Sequence, residues 1–109
     1  MTHHYLACDL GAESGRVMLG ALGDGKLTLD ELHRFENGPL PVGGTLRWDV
    51  VRLFRELETG LAKAAARGVT IDSVSTDSWG VDYVLLQGAE PLLTLPYHYR
   101  DARTDGALE

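Results

Sequence analysis

The stretch Asp9-Leu10-Gly11-Ala12-Glu13-Ser14-Gly15-Arg16 gathers a carboxylate, a hydroxyl, a guanidinium and two glycines into one short turn. Apolar runs flank it, Tyr5-Leu6-Ala7-Cys8 before and Val17-Met18-Leu19-Gly20-Ala21-Leu22 after. A carboxylate at a strand end, then a Gly/Ser turn, then a cation, suits a metal-bound polyphosphate. Asp9 can hold a hard cation directly or through its waters. Gly11 and Gly15 let backbone N–H groups approach phosphate oxygens without a β-carbon in the way. Ser14 adds a hydroxyl donor and Arg16 a charged fork. A polar hairpin turn has the same composition, so spacing alone leaves both readings open.

The wider sequence bears on that choice. Four blocks stand in order along the chain: Asp9 to Leu19; His33-Arg34-Phe35-Glu36-Asn37-Gly38; Asp77-Ser78-Trp79-Gly80-Val81-Asp82-Tyr83-Val84-Leu85-Leu86; and Tyr99-Arg100-Asp101-Ala102-Arg103-Thr104. Together they resemble the FGGY carbohydrate kinase family, and within it the branch that acts on L-rhamnulose. Ser78-Trp79-Gly80-Val81-Asp82 is the most specific block. Glu13 departs from the pattern, since many relatives carry a small residue there.

The resemblance implies an ATP-dependent kinase that transfers the γ-phosphate to the 1-hydroxyl of L-rhamnulose, giving L-rhamnulose 1-phosphate. Its implied cofactors are ATP and Mg²⁺. Asp9 would sit near the metal, and Ala12, Glu13, Ser14, Gly15 and Arg16 would surround the β- and γ-phosphates. Phosphoryl transfer is mostly positioning and charge neutralisation, which this equipment suits. The resemblance places Gly80 at the sugar. Trp79 suits either a sugar's C–H face or a core position. Asp77 and Asp82 suit either sugar hydroxyls or turn capping. Tyr99 opens an aromatic-x-Asp-x-Arg pattern and would stack on the sugar or line its pocket. Arg103 suits a ligand contact or an ion pair with Asp101 or Asp105. The alternatives are another FGGY ketose or polyol kinase, or a non-catalytic ATPase-fold module.

Family kinases are several times longer. Their catalytic base is an Asp beyond the position of residue 109, and their adenosine motifs lie in a second domain. Residues 1–109 are therefore expected to form the N-terminal part of the first kinase domain. Alone they are expected to be inactive, with the rest of the kinase chain as partner and a small sugar as substrate.

These side chains need a scaffold. Tyr5–Asp9 and Arg16–Leu22 read as strands joined by the polar loop. Gly23-Asp24-Gly25 is a hairpin signal, and a third strand starts at Leu27. Its alternation slips near Asp30-Glu31-Leu32, which predicts a bulge; the strand ends at Phe35 or Glu36. Asn37 to Gly44 reads as loop, and Thr45–Trp48 as a short extended piece. Asp49 is a good N-cap for the one clear helix. Trp48 and Leu53 are spaced as a hydrophobic staple across it. Val50, Leu53, Phe54, Leu57, Leu61 and Ala64 form one apolar stripe, and Gly68 is a stop signal. Ile71–Ser78 reads as a fourth strand with Ile71 and Val74 in the core. Val81–Gln87 reads as a fifth, and Leu92–Tyr99, with Pro96, as a weak or edge strand. The pattern predicts an α/β fold with a mixed sheet. The resemblance implies more: an incomplete ribonuclease H-like half domain of the actin-like ATPase kind.

The chain has 109 residues, enough for one small domain with a modest core. Its 44% hydrophobic and 24% charged residues fit a soluble globular protein. A net charge of −6 argues against a nucleic-acid surface. The longest apolar run is too short to cross a bilayer. Met1-Thr2-His3-His4 lacks the marks of a secretory signal, and Cys8 is the lone cysteine, so the expected location is the cytoplasm. Cys8 reads as a buried small hydrophobe. His33 and His98 lack metal-ligand partners at useful spacing and read as satisfied or exposed.

Overall fold

The computed structural model describes residues 1–91 and 94–108. Its centre is an antiparallel meander. Strand β1 (His3–Leu10) pairs with β2 (Ser14–Gly23), and β2 pairs with β3 (Lys26–Glu36). Asp24 and Gly25 both take positive φ, 50° and 72°, as a tight hairpin turn requires. Strand β6 (Ser73–Asp77) joins the other side of β1 in parallel, giving the order β3-β2-β1-β6. A parallel partner needs a crossover, and helix α1 (Val50–Ala65) lies in it.

Only one face of this sheet carries α1. Leu6, Cys8, Val17 and Leu19 project onto that face and bury with Ala64, and Leu32, Leu57, Val69 and Ile71 pack around them. Helix and sheet touch closely at Gly60: a β-carbon there would overlap the Val17 side chain. The bulge falls where the alternation slips. Val17 pairs with His33 and Met18 with Glu31, leaving Leu32 as the extra residue. Leu32 packs on the helix-side core, and His33 beyond it bonds Glu56 and Lys63 of α1.

The start of α1 follows the sequence. Asp49 caps it, accepting from the Arg52 N–H at 3.1 Å. Trp48 and Leu53 meet across the cap, in one cluster with Phe35. The apolar stripe is narrower than its spacing predicts. Leu53 and Ala64 are buried, but Phe54 is 63% exposed and Val50 and Leu61 also face outward. One sheet covers only one side of a helix.

Four other expectations change. Asn37–Gly44 is not all loop: β4 (Leu40–Val42) pairs with β5 (Thr45–Arg47) about Gly43 and Gly44. Val74 shares the helix-side face with its partner Leu6 yet is 53% exposed, because β6 is the sheet edge. Val81–Gln87 does not form a strand along its length. Only β7 (Leu86–Gln87) pairs, with β8 (Glu90–Pro91); strand propensity without a neighbouring strand does not hold a ladder. Of the expected weak strand, Leu92 and Leu93 lie outside the described residues. Thr94–Tyr99 runs beside β5 with one bridge, Arg47 to Tyr97, and bonds from Trp48 N to Pro96 O and from His98 N to Leu46 O, both 2.9 Å. A 3₁₀ turn at Ala102–Thr104 follows, capped by Asp101. Among the described residues no helix is long and apolar enough to cross a membrane.

Candidate functional site

The loop after β1 closes on itself. The Gly11 N–H donates to Ser14 O at 2.9 Å. Asp9 and Arg16 face each other across the β1–β2 pair. The Arg16 guanidinium donates to Asp9 Oδ2 at 2.7 Å, to Ser14 Oγ at 2.8 Å and to Ser14 O at 3.1 Å. Arg16 thus ties the strand-end carboxylate to the turn. This is a structural duty the sequence reading did not give it, and cross-strand pairing supplies the reason.

Asn37 is a second clamp. Its backbone N–H donates to Glu13 O at 2.9 Å and its side-chain amide to Gly11 O at 2.8 Å. Sequence reading gave Asn37 no role. Its signals were its place in the His33–Gly38 block and the Asn37-Gly38 punctuation, which marks turns generally.

Gly15 is needed for a reason other than phosphate approach. A β-carbon there would overlap the Phe35 ring. Asp9 lies in register with Asp77 on β6. Ala7, Cys8, Asp9, Met18, Leu29, Ser75 and Asp77 line a cavity of about 290 Å³ there. Two strand-end carboxylates beside donor-rich backbone fit a hard cation that keeps most of its shell from water and phosphate. Among the described residues no group of three metal-ligating side chains forms. Cys8 is buried at 2% exposure. Burial pushes its thiol up, with a hydrogen bond to Thr76 opposing, so it is inert packing as expected.

A second constellation forms on the other side of Phe35. Trp48, at 1% exposure, stacks on Trp79 with ring centroids 3.6 Å apart and planes 13° apart. His98 lies 4.0 Å from Trp48 and 4.5 Å from Tyr99, centroid to centroid. Trp48, Val50, Ser78, Trp79, Asp82, Tyr83, Val84 and Pro96 line a cavity of about 210 Å³. The predicted Trp79, Asp82 and Tyr99 are thereby brought to one tier. A β-carbon on Gly80 would meet nothing within 4 Å.

Arg103 makes no ion pair among the described residues. Its guanidinium lies over the Tyr97 ring at 4.2 Å, with Arg47 also on Tyr97 at 3.5 Å. Asp101 instead accepts backbone N–H groups, from Leu46 at 2.8 Å and Arg103 at 3.0 Å. The Leu46 N–H, foremost, holds its carboxyl below the usual carboxylate range. His33 is satisfied, as expected, by Glu56 at 2.7 Å and Lys63 at 2.9 Å. His98 is neither exposed nor fully satisfied. It is 2% exposed and its Nε2 has no partner among the described residues.

No protein-family model matches the chain. Curated proteins do. The chain is 47% identical over 109 residues to a rhamnulokinase of Bacteroides thetaiotaomicron, covering 100% of this chain and 22% of that protein. It is homologous to the rhamnulokinases. A Klebsiella pneumoniae rhamnulokinase is 50% identical over 107 residues, 96% of this chain and 22% of its own. One from Enterococcus faecalis is 45% identical over 105 residues, 95% of this chain and 21% of its own. The likeness to rhamnulokinases takes in both the loop after β1 and the aromatic tier. The chain spans about a fifth of the length of these relatives.

Proposed function

We propose that residues 1–109 are the N-terminal part of the first domain of an FGGY sugar kinase, of ribonuclease H-like, actin-like ATPase architecture. The kinase uses ATP to phosphorylate L-rhamnulose at its 1-hydroxyl. The observation that carries this reading is identity near one residue in two to rhamnulokinases along the whole chain. The strand order supports it, with an antiparallel meander and a parallel fourth strand reached through a helix.

In this reading the loop 12–16 cradles the β- and γ-phosphates. Its turn is held rigid by Arg16 and Asn37, so its N–H groups need no reorganisation when phosphate arrives. Asp9 and Asp77 would hold Mg²⁺, which neutralises charge on the transferring phosphoryl group when bound. Trp79, Gly80, Asp82 and Tyr99 form part of the sugar site: flat apolar walls for C–H groups and a carboxylate for hydroxyls. The catalytic base comes from a later part of the kinase chain.

The test is ADP release by the full-length kinase across L-rhamnulose, L-fuculose, D-xylulose, D-ribulose and glycerol. Preference for L-rhamnulose is expected. Preference for another sugar would move the protein elsewhere among FGGY kinases. Turnover of none by a folded full-length protein would favour a non-catalytic ATPase-fold module.

A further inference from the structure

Arg16 and Arg34 stand directly opposite each other on the β2–β3 pair. Like charges in that position repel, so strand pairing alone gives no reason to place them there. Each guanidinium has its own carboxylate: Arg16 bonds Asp9 at 2.7 Å, and Arg34 bonds Glu31. Both also reach one shared atom. Arg16 Nη2 donates to Ser14 Oγ at 2.8 Å, and Arg34 Nη1 donates to the same oxygen at 3.4 Å.

A hydroxyl has two lone pairs and one proton. With a guanidinium on each lone pair, the Ser14 proton is left to donate outward. Arg34 commits Nε to Glu31 and Nη1 to Ser14, so its Nη2 donors remain. Its side chain is 56% exposed and open to a ligand. A hydroxyl proton beside two cations complements an anion with several oxygens. Glu36 stands opposite Ser14, and Glu13 precedes it in the turn. A bare carboxylate or phosphate would meet those charges uncompensated. A polyphosphate that brings its own divalent cation carries the balance with it. Asp9, one strand away, and Asp77, two strands away, stand in register to hold that cation.

We propose that Arg34 is a phosphate-binding residue, joining Ser14 and Arg16 on the outer phosphates of a metal-bound nucleoside triphosphate. The proposal rests on the sugar-kinase reading and extends the phosphate site from the loop after β1 to β3. That strand is held firmly on both sides of Arg34. His33 bonds Glu56 of α1, and Phe35 is buried with Trp48 and Leu53. A ligand group carried on a fixed element needs little reorganisation when the anion arrives.

The test compares wild type, Arg34→Ala, Arg34→Lys and Glu31→Gln in the full-length kinase. Calorimetry gives Kd for Mg-ATP and for AMP, which lacks the outer phosphates. Kinetics give KM for ATP and for sugar. Arg34→Ala is expected to raise Kd and KM for ATP about tenfold, the loss of one charge-assisted contact. Kd for AMP and KM for sugar should move less than about twofold. Arg34→Lys should recover part of the loss through its charge. Glu31→Gln frees Arg34 from its carboxylate and should leave ATP binding equal or tighter. A folded Arg34→Ala with unchanged ATP affinity overturns the proposal and leaves the kinase reading standing. Equal weakening of ATP and AMP does the same, because it gives Arg34 a structural duty only. Should Arg34→Ala not fold, Glu31→Gln decides, and weaker ATP binding in that variant overturns the proposal. A wild type that binds no ATP overturns the kinase reading itself.

Discussion

Gly15 lies against the Phe35 ring so closely that a β-carbon would overlap it. Phe35 also packs with Trp48, which stacks on Trp79. The loop after β1 and the aromatic tier are therefore linked through one ring. Gly15→Ala is expected to destabilise the fold by about 1–3 kcal/mol, the usual cost of overpacking. Phe35→Leu in the same chain should recover part of the loss. Denaturant melts of the single and double variants check this, and additive losses would remove the contact as the cause.

Asp9→Asn is expected to lower kcat of the full-length kinase by about a hundredfold or more, since a metal-holding carboxylate stabilises charge that develops in transfer. Circular dichroism should stay unchanged. Steady-state kinetics decide, and a near-normal kcat would take Asp9 out of the site.

Arg16→Ala should raise KM for ATP more than KM for sugar. Arg16→Lys should rescue it poorly. One ammonium cannot reproduce the fork that reaches Asp9, Ser14 Oγ and Ser14 O together. Equal kinetics for Lys and Arg would mean that charge alone matters.

Gly80→Val should leave the melting temperature nearly unchanged, because a side chain there meets open space within this part of the chain. It should raise the sugar KM steeply and KM for ATP little. The two constants, read on one preparation, check the assignment; parallel rises would point to the fold instead.

Asp101 predicts an acid effect with a definite sign. Its folded carboxyl titrates lower than usual, chiefly because the Leu46 N–H holds the anion. Stabilisation from the anion is present above the unfolded carboxyl value, about 3.9, and is lost as pH falls through the lower folded value. Asp101→Asn should therefore melt below wild type at neutral pH, and the gap should close below about pH 4. Melts across pH 2.5–7 (roughly the span of carboxylate titration) test it. A gap independent of pH would show that lost geometry, not charge, is the cause.

Local patterns carried much of the architecture. The loop after β1, the Asp49 cap, the Trp48–Leu53 staple and the bulge near Leu32 each depend on neighbours in sequence, so spacing exposed them. What escaped depends on distant partners. Val74 looks like core until the edge position of β6 is known. Val81–Leu85 has strand composition but pairs with no strand among the described residues. Asn37 reaches Gly11 across 26 positions, and Arg103 finds tyrosine rings rather than the aspartates near it in sequence. His98 was legible as a histidine without metal partners, but its burial comes from Trp48, fifty positions earlier.

The extra residue in β3 sets a reading frame. Leu29 before it lines the cavity on the open side with Asp9, while Phe35 after it faces the helix side. Odd-numbered positions thus serve opposite faces on either side of Leu32. Deleting Leu32 would restore one unbroken alternation and leave His33 and Phe35 on the helix side, because their partners on β2 would not change. The loss is one leucine packed on the core, not a flipped strand. A single-codon deletion there should therefore lower stability yet keep the register that seats Phe35 against Trp48.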